Sequence, residues 1–390
     1  MKLLFYSHFF TPSVGGVETI VMSIARGLAG LRDSHGVPEF EITVVTQTPA
    51  GDYDDSAIPF RVIRRPGFSE LLRLVRNADV VHAAGPAIAP LLLSLFTGKS
   101  FVVEHHGFQT ICPNGQLLIE PAGVPCPGHF MARRHTQCLR CNSDQGWASS
   151  YKLWQLTFVR RFLCARAAGN ITPTQWLGHL LQLPRISAIP HGLEITEPVS
   201  RPEPPRGPAV FAFQGRLVTT KGVRLLFEAA RMLHEKNRSF ELSIIGDGPE
   251  RASLEQFARE LQLEAQVCFA GRLSGTRLDA ALARASAVVV PSLGGEVFGL
   301  VVAENMMRAL PIVASDLGAF VEVLGGSGLT FRTGDAAALA ALLERIVDDP
   351  SFARNLGRQA RERALDFCAK SRMIEAHARV YRDVHAAAKT

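Results

Sequence analysis

"SAVVVPSLGGEVFGLVVAENMMRALPIVAS", residues 286–315, decides the fold. A short apolar run, "SAVVVPS", leads into a glycine-bearing loop, "LGGEVFG". Helical spacing follows through "LVVAENMMRA", and a second apolar run, "PIVAS", closes the stretch. Short apolar strands alternating with helices predict a parallel sheet covered on both faces. Two carboxylates, Glu296 and Glu304, interrupt this apolar context, and an unpaired buried carboxylate is costly. Glu296 falls in the loop at the strand's carboxyl end and Glu304 on the helix. Eight helical residues rise about 12 Å, and the loop-to-helix turn shortens that span. The spacing suits two acids gripping different parts of one extended ligand. A carboxylate accepts paired hydrogen bonds from adjacent hydroxyls, and the backbone of the loop, with Gly295, Phe298 and Gly299, offers amides to a phosphate.

Outward from this unit the same alternation recurs. "AVFAFQG", "FELSIIGDG", "AQVCFAG" and "GLTF" supply further strands around it. "KLLFYS", "EITVVT", "FRVIRR", "DVVHAAG" and "FVVEHH" supply an earlier set, with helices such as "GVETIVMSIARGLAG" between them. Five prolines between Pro198 and Pro208 separate the two sets, a composition hostile to helix and central strand. The expected organisation is therefore an α/β protein with two doubly wound, Rossmann-like domains facing a cleft. The domains span residues 1–195 and 209–370, joined by a linker over 196–208. A last helix, 371–390, caps the second domain or crosses back to the first. Ligands of such sheets bind beyond the carboxyl ends of the strands.

The chain has 390 residues, 47 % of them hydrophobic and 20 % charged, the balance of a globular enzyme. No apolar run approaches the roughly 18 residues of a membrane span. The amino-terminal stretch reads as a first strand rather than a secretory signal, so a cytoplasmic protein is expected. The net charge of +6 suits an anionic ligand or membrane surface, or is ordinary arginine-rich composition. No basic run interleaved with aromatics marks a nucleic-acid partner.

In "FQGRLVTTKG", Arg216 and Lys221 stand just past a strand and before a helix. A guanidinium fork and a mobile ammonium are the two usual ways of holding phosphate oxygens; the alternative is a pair of solvated loop charges. A nicotinamide-dependent reductase is disfavoured, because "SVGGVE" after the first strand does not fit G-x-G-x-x-G. Asp52 and Asp54 in "GDYDD" mimic a metal-binding D-x-D but read as a solvated turn.

"GRLVTTKG", "IIGDGPE", "FAGRL", "VVVPSLGGEVFGLVVAEN" and "PIVASDLGAFVEV", in that order, resemble the signatures of the family-4 retaining glycosyltransferases with the GT-B fold (glycosyl transferases group 1). "FTPSVGGVE" and "IPHGLE" resemble that family's first-domain landmarks. The resemblance implies metal-independent transfer of a sugar, with retention, from a nucleotide-sugar donor to a glycan or lipid-linked acceptor. Surface polysaccharide or glycolipid synthesis is the implied setting. It implies that Glu296 contacts donor-sugar hydroxyls, Glu304 the ribose, and Arg216 and Lys221 the diphosphate. Gly15 and Gly16 match a loop closing beside the phosphates, and His106 matches the active-site histidine. The chain departs from the pattern at Gly107, where some relatives carry an acid, at Asn305 and at Ala319. The adjoining His105 leaves open which imidazole faces the donor. A non-catalytic nucleotide-sugar or metal-binding scaffold is the competing class, disfavoured because both acids and both basic residues are present.

Two features lie outside this pattern. Cys112, Cys126, Cys138 and Cys141 fall within thirty residues of an irregular, Pro- and Gly-rich insertion at about 107–146 in the first domain. Four clustered thiols favour a structural zinc site over an iron–sulfur cluster, reduced thiols or disulfides. Then "SSYKLWQLTFVRRFLCARAAG" places Leu153, Trp154, Phe158, Phe162 and Leu163 near helical spacing with basic residues between them. Core packing is the simpler expectation, and peripheral contact with the inner face of a membrane the alternative.

Overall fold

The computed structural model describes residues 1–13, 15–120, 122–141, 146–195 and 207–389. The expected linker lies outside these residues apart from 207 and 208. Two compact units form. One comprises Met1–Gly115, Gly128–Gly192 and Cys368–Thr390, the other Gln116–Pro127 and Leu193–Phe367.

The first unit is built on β1 (Lys2–Ser7), β2 (Glu41–Thr46), β3 (Arg61–Arg64), β4 (Val80–Ala84), β5 (Ser100–Glu104), β8 (Gly169–Thr172) and β9 (Ile186–Ala188). They form one seven-stranded sheet in the order β3-β2-β1-β4-β5-β8-β9, every pair parallel. Five of the six residues of β1 are buried, which is why the run reads as apolar on both faces. The helix Gly16–Gly30 buries Ile20, Val21, Ile24, Ala25 and Leu28. The last helix, Lys370–Ala387, belongs to this unit. It packs where a Cβ on Gly27 would lie 2.2 Å from Ile374 Cδ1, and Arg382 clasps Glu39 with two bonds of 2.6 and 2.9 Å.

The second unit carries β10 (Ala209–Gln214), β11 (Phe240–Ile245), β12 (Val267–Gly271), β13 (Ala287–Val290), β14 (Ile312–Ser315) and β15 (Leu329–Phe331). Their order is β12-β11-β10-β13-β14-β15, again parallel throughout. Counted from β10 this is the 3-2-1-4-5-6 order of a doubly wound dinucleotide fold, whose ligands lie where the order reverses. Here the reversal falls between β10 and β13. A core of Phe211, Phe213, Leu226, Phe227, Leu242, Ile244, Val289 and Val313 fills the space under the helices. The short antiparallel hairpin β6 (Leu118–Ile119) and β7 (Val124–Pro125) also belongs to this unit. The middle of the cysteine-rich insertion thus packs with the second unit: Gly295 N donates to Gln116 O at 2.7 Å.

Candidate functional site

The loops that follow β10 and β13 carry most of the candidate residues of the second unit, because neighbouring parallel strands end side by side. After β10 the chain passes the exposed Arg216, makes a single 3-10 turn at Thr219–Lys221, and enters the helix Val223–Glu235 through Gly222. After β13 it runs through Pro291 to Gly299 before the helix Leu300–Met307. Leu293 N donates to Thr220 O at 2.8 Å and binds the two loops together.

Lys221 and Glu296 meet at this junction. Lys221 Nζ donates to Glu296 Oε1 at 2.5 Å, and Ser292 Oγ donates to the same oxygen at 3.1 Å. Ser292 is itself fixed, its carbonyl accepting from Ser315 Oγ at 2.7 Å. The Lys221 and Glu296 side chains are 28 % and 12 % exposed, so solvent screens the pair only in part. Gly299 holds φ 91° at the helix entrance, and a Cβ there would lie 2.5 Å from Phe320 Cε1. Phe298 is buried against Phe367, ring centroids 6.3 Å apart, and anchors the loop from below. Glu304 sits half-buried on the helix. Burial pushes its carboxyl above the usual range, and the Arg308 charge opposes the shift. Such a carboxylate gains most from hydroxyl donors.

Asn305 has a structural task. Fully buried, it donates to Gln214 Oε1 at 2.9 Å and Val301 O at 2.8 Å, fastening the helix to the end of β10. Its departure from the family pattern therefore concerns packing. Asp54 accepts from Ser56 N and Ser56 Oγ to cap a 3-10 turn, and Asp55 pairs with Arg64, so two of the acids in "GDYDD" have local partners.

The first unit holds Gly15, Gly16 and His106. Gly15 and Gly16 open the helix Gly16–Gly30, whose first-turn Glu18 accepts from Ser13 Oγ at 3.0 Å. Beyond β5 the two histidines separate. His105 is buried, its Nε2 donating to Asn170 Oδ1 at 2.9 Å. Asn170 Nδ2 donates to the Cys164 and Pro184 carbonyls, which fixes the amide's orientation. Burial lowers His105 to a pKa of about 4. His106 turns instead toward Glu104 and stacks on His191, ring centroids 5.6 Å apart.

Glu104 is the feature that sequence reading missed. This fully buried carboxylate faces four imidazoles: His82 Nε2 at 3.3 Å, His106 Nε2 at 3.5 Å, His377 Nε2 at 3.7 Å and His191 Nδ1 at 4.0 Å. Burial alone would raise its pKa, but His106, then His377 and His82, outweigh burial and hold it well below the usual carboxylate range. Burial lowers His82, and lowers His191 to about 3. A glutamate closing the otherwise apolar run "FVVE" was the available signal.

The four cysteines keep other company. Asn114 stands between Cys112 and Cys141, its Oδ1 2.9 Å from Cys112 Sγ and its Nδ2 3.5 Å from Cys141 Sγ. Cys138 is buried in the same unit, and Cys126 belongs to the other one. Among the described residues, three metal-ligating atoms come within 4.8 Å of one another at Glu104, His106 and His191, and not at the cysteines.

The aromatic stripe also departs, in part, from the core expectation. In the helix Trp147–Arg166, Ser150, Thr157, Leu163 and Cys164 are buried, whereas Trp147, Tyr151, Phe158 and Phe162 are 63, 50, 42 and 51 % exposed. Phe130, His135 and Trp154 pack against Phe158 from one side and hold the stripe together. Of the expected stripe, Leu163 is buried and seats the helix with Ser150, Thr157 and Cys164. Leu153 and Trp154 are partly buried, and Phe158 and Phe162 face outward. Among the described residues no helix is long and apolar enough to cross a membrane.

Comparison with known proteins agrees with this geometry. Residues 196–363 match the family model described as "Glycosyl transferases group 1". The chain is similar to the glycogen synthase of Mycobacterium tuberculosis (strain ATCC 25618 / H37Rv), 31 % identical over 245 residues, 60 % of this chain and 59 % of that protein. It is 27 % identical over 215 residues to the 2-deoxystreptamine glucosyltransferase of Streptomyces kanamyceticus, 50 % of this chain and 55 % of that protein. The chain thus spans less than two thirds of the length of these relatives. Among solved structures, HepE of Anabaena in complex with UDP superposes with a TM-score of 0.73 at 18 % identity, over 98 % of this chain and all of that one. Sucrose-phosphate synthase from Thermosynechococcus elongatus gives 0.74 at 19 % identity, over 99 % of each chain. The second unit thus carries the signature of the group 1 glycosyltransferases over residues 196–363, and the chain has the GT-B fold.

Proposed function

We propose that the protein is a retaining glycosyltransferase that moves a sugar from a nucleotide-sugar donor to a glycan or lipid-linked acceptor in surface polysaccharide or glycolipid synthesis. The observation that carries this reading is the Lys221–Glu296 pair at the strand-order reversal, with Ser292 and the glycine-bearing loop around it. A phosphate-binding cation and a hydroxyl-binding anion satisfy each other while no donor is bound. A diphosphate with more charge than one carboxylate draws Lys221 away, and Glu296 is released to accept the donor-sugar hydroxyls. Arg216 supplies the second cation and the half-buried Glu304 takes the ribose, and the family resemblance assigns His106 to the reacting sugar. Retention by front-face attack asks the protein to stabilise the departing diphosphate and to position the sugar, with little demand for a strong base.

Solved relatives of the same fold are complexed with UDP and UDP-glucose, so uridine nucleotides are the first ligands to test. Calorimetry should show UDP binding that Lys221→Ala weakens roughly tenfold or more, since hydrogen bonds to charged groups contribute about 1.5–3 kcal/mol. Unchanged affinity in that variant would remove the phosphate role. Mass spectrometry of the product from a panel of UDP-sugars and acceptors then tests transfer itself.

The exposed stripe Trp147, Tyr151, Phe158 and Phe162, flanked by Lys152, Arg160 and Arg166, supports an acceptor held at an anionic bilayer surface. Co-sedimentation with phosphatidylglycerol vesicles is expected, reduced by Trp147→Ser with Phe162→Ser and by added salt. Equal recovery of both proteins in the supernatant would sink this part of the reading.

A further inference from the structure

We propose that the first unit binds one zinc ion through Glu104, His106 and His191. The argument starts from the distances. The four imidazole nitrogens stand 3.3 to 4.0 Å from the Glu104 oxygens. These values exceed the 2.7–3.2 Å or so of an N–H···O hydrogen bond. The 3.3 and 3.5 Å separations lie near the edge of about 3.4 Å that a tetrahedron with zinc bonds of 2.0–2.1 Å would have, and His191, at 4.0 Å, would close in by about half an ångström on coordination. Both Glu104 oxygens, His106 Nε2, His82 Nε2 and His377 Nε2 are buried and make no hydrogen bond to the described residues. Three imidazole nitrogens and the two oxygens of the carboxylate they face, gathered in one buried place, require something between them.

The tautomer of His377 sharpens the point. Its Nδ1 lies 2.8 Å from the Met373 carbonyl, which can only accept, so Nδ1 carries the proton. In the neutral ring Nε2 then presents a lone pair toward Glu104 Oε1 at 3.7 Å, acceptor facing acceptor. A cation beside the carboxylate relieves that repulsion. No lysine or arginine pairs with Glu104 among the described residues. An imidazole Nδ1–H bonded to a backbone carbonyl is also the usual support around a zinc centre.

Glu104, His106 and His191 are the three whose ligating atoms come within 4.8 Å of one another. One carboxylate with two imidazoles is an ordinary zinc set. Glu104 ends β5, and His191 follows β9 by three residues. Coordination would therefore tie the carboxyl end of β5 to the segment that follows β9. Zinc on His106 Nε2 would fix the ring and leave Nδ1 outside the coordination sphere. The inference does not rest on the transferase reading.

The test is metal content and zinc binding in the whole chain. Protein purified without chelator should carry about one zinc by elemental analysis. Chelator-stripped protein should rebind zinc in calorimetry and unfold at a higher temperature with zinc than without. Glu104→Gln, which keeps the shape, and His191→Ala should each lower zinc affinity more than about tenfold, with circular dichroism confirming that both remain folded. A stripped wild type that binds no zinc would overturn the proposal and leave a proton on one imidazole as the counter-charge. Zinc retained by both variants but lost in Cys138→Ser would place it at the cysteines, and overturns the proposal equally.

Discussion

Glu296→Ala is expected to reduce sugar transfer by about a hundredfold or more, while UDP binds as tightly as in the parent protein or more tightly. The first half follows from charge-assisted hydrogen bonds to the donor sugar, each contributing about 1.5–3 kcal/mol. The second half is specific to this structure. Lys221 Nζ is held by Glu296, and a diphosphate has to compete with that carboxylate for the ammonium. Removing Glu296 frees Lys221 for phosphate. The two variants at one ion pair should thus move UDP affinity in opposite directions, Lys221→Ala down and Glu296→Ala level or up. A simple structural salt bridge predicts no such split. Thermal unfolding separates the cases, because the loss of a structural bridge would lower Tm, whereas the loss of a ligand-binding carboxylate lowers transfer with Tm little changed. Parent-like turnover in Glu296→Ala would end the catalytic assignment.

The sheets were legible because their strands are apolar on both faces. β1, β2, β4, β5, β10, β13 and β14 are runs that only a doubly covered sheet accommodates. β8 and β9 were not legible. "GNIT" has a polar centre, Asn170, whose side chain is consumed by His105 and two carbonyls, and "ISA" is three residues long. Glu296 and Glu304 drew notice as acids in an apolar run, and the structure places the first of them against Lys221. The same question applied to Glu104, but its partners lie on β4, after β9 and on the last helix, at separations no local pattern spans. The stripe on the helix Trp147–Arg166 was legible only in part, with Leu163 buried as expected and Phe158 and Phe162 exposed. Periodicity shows which residues share a helix face, whereas the burial of Ser150, Thr157, Leu163 and Cys164 shows which face is seated.

Gly222→Ala should be strongly damaging to the second unit. Gly222 has φ 66°, a left-handed conformation that costs a residue with a Cβ about 1–2 kcal/mol. An added Cβ would also lie 2.0 Å from the Pro291 carbonyl oxygen and 3.0 Å from its carbon. Backbone cannot rotate away as a side chain can. Relief would require the Pro291–Gly299 loop to separate from the turn at Thr219–Lys221, against the Leu293 N to Thr220 O bond. Overpacking of this kind adds about 1–3 kcal/mol, so a total near 3 kcal/mol and a clear fall in Tm are expected. Gly326→Ala is the control, with φ 86° and nothing within 4 Å of the new Cβ. It carries the conformational cost without the collision, and the difference between the variants measures how firmly the two loops are pressed together. Because that contact sets Lys221 beside Glu296, Gly222→Ala should also weaken UDP binding, and Gly326→Ala should not. Equal stability losses in the two variants would mean that the loops yield easily, and the preformed ion pair could then not be what organises the site.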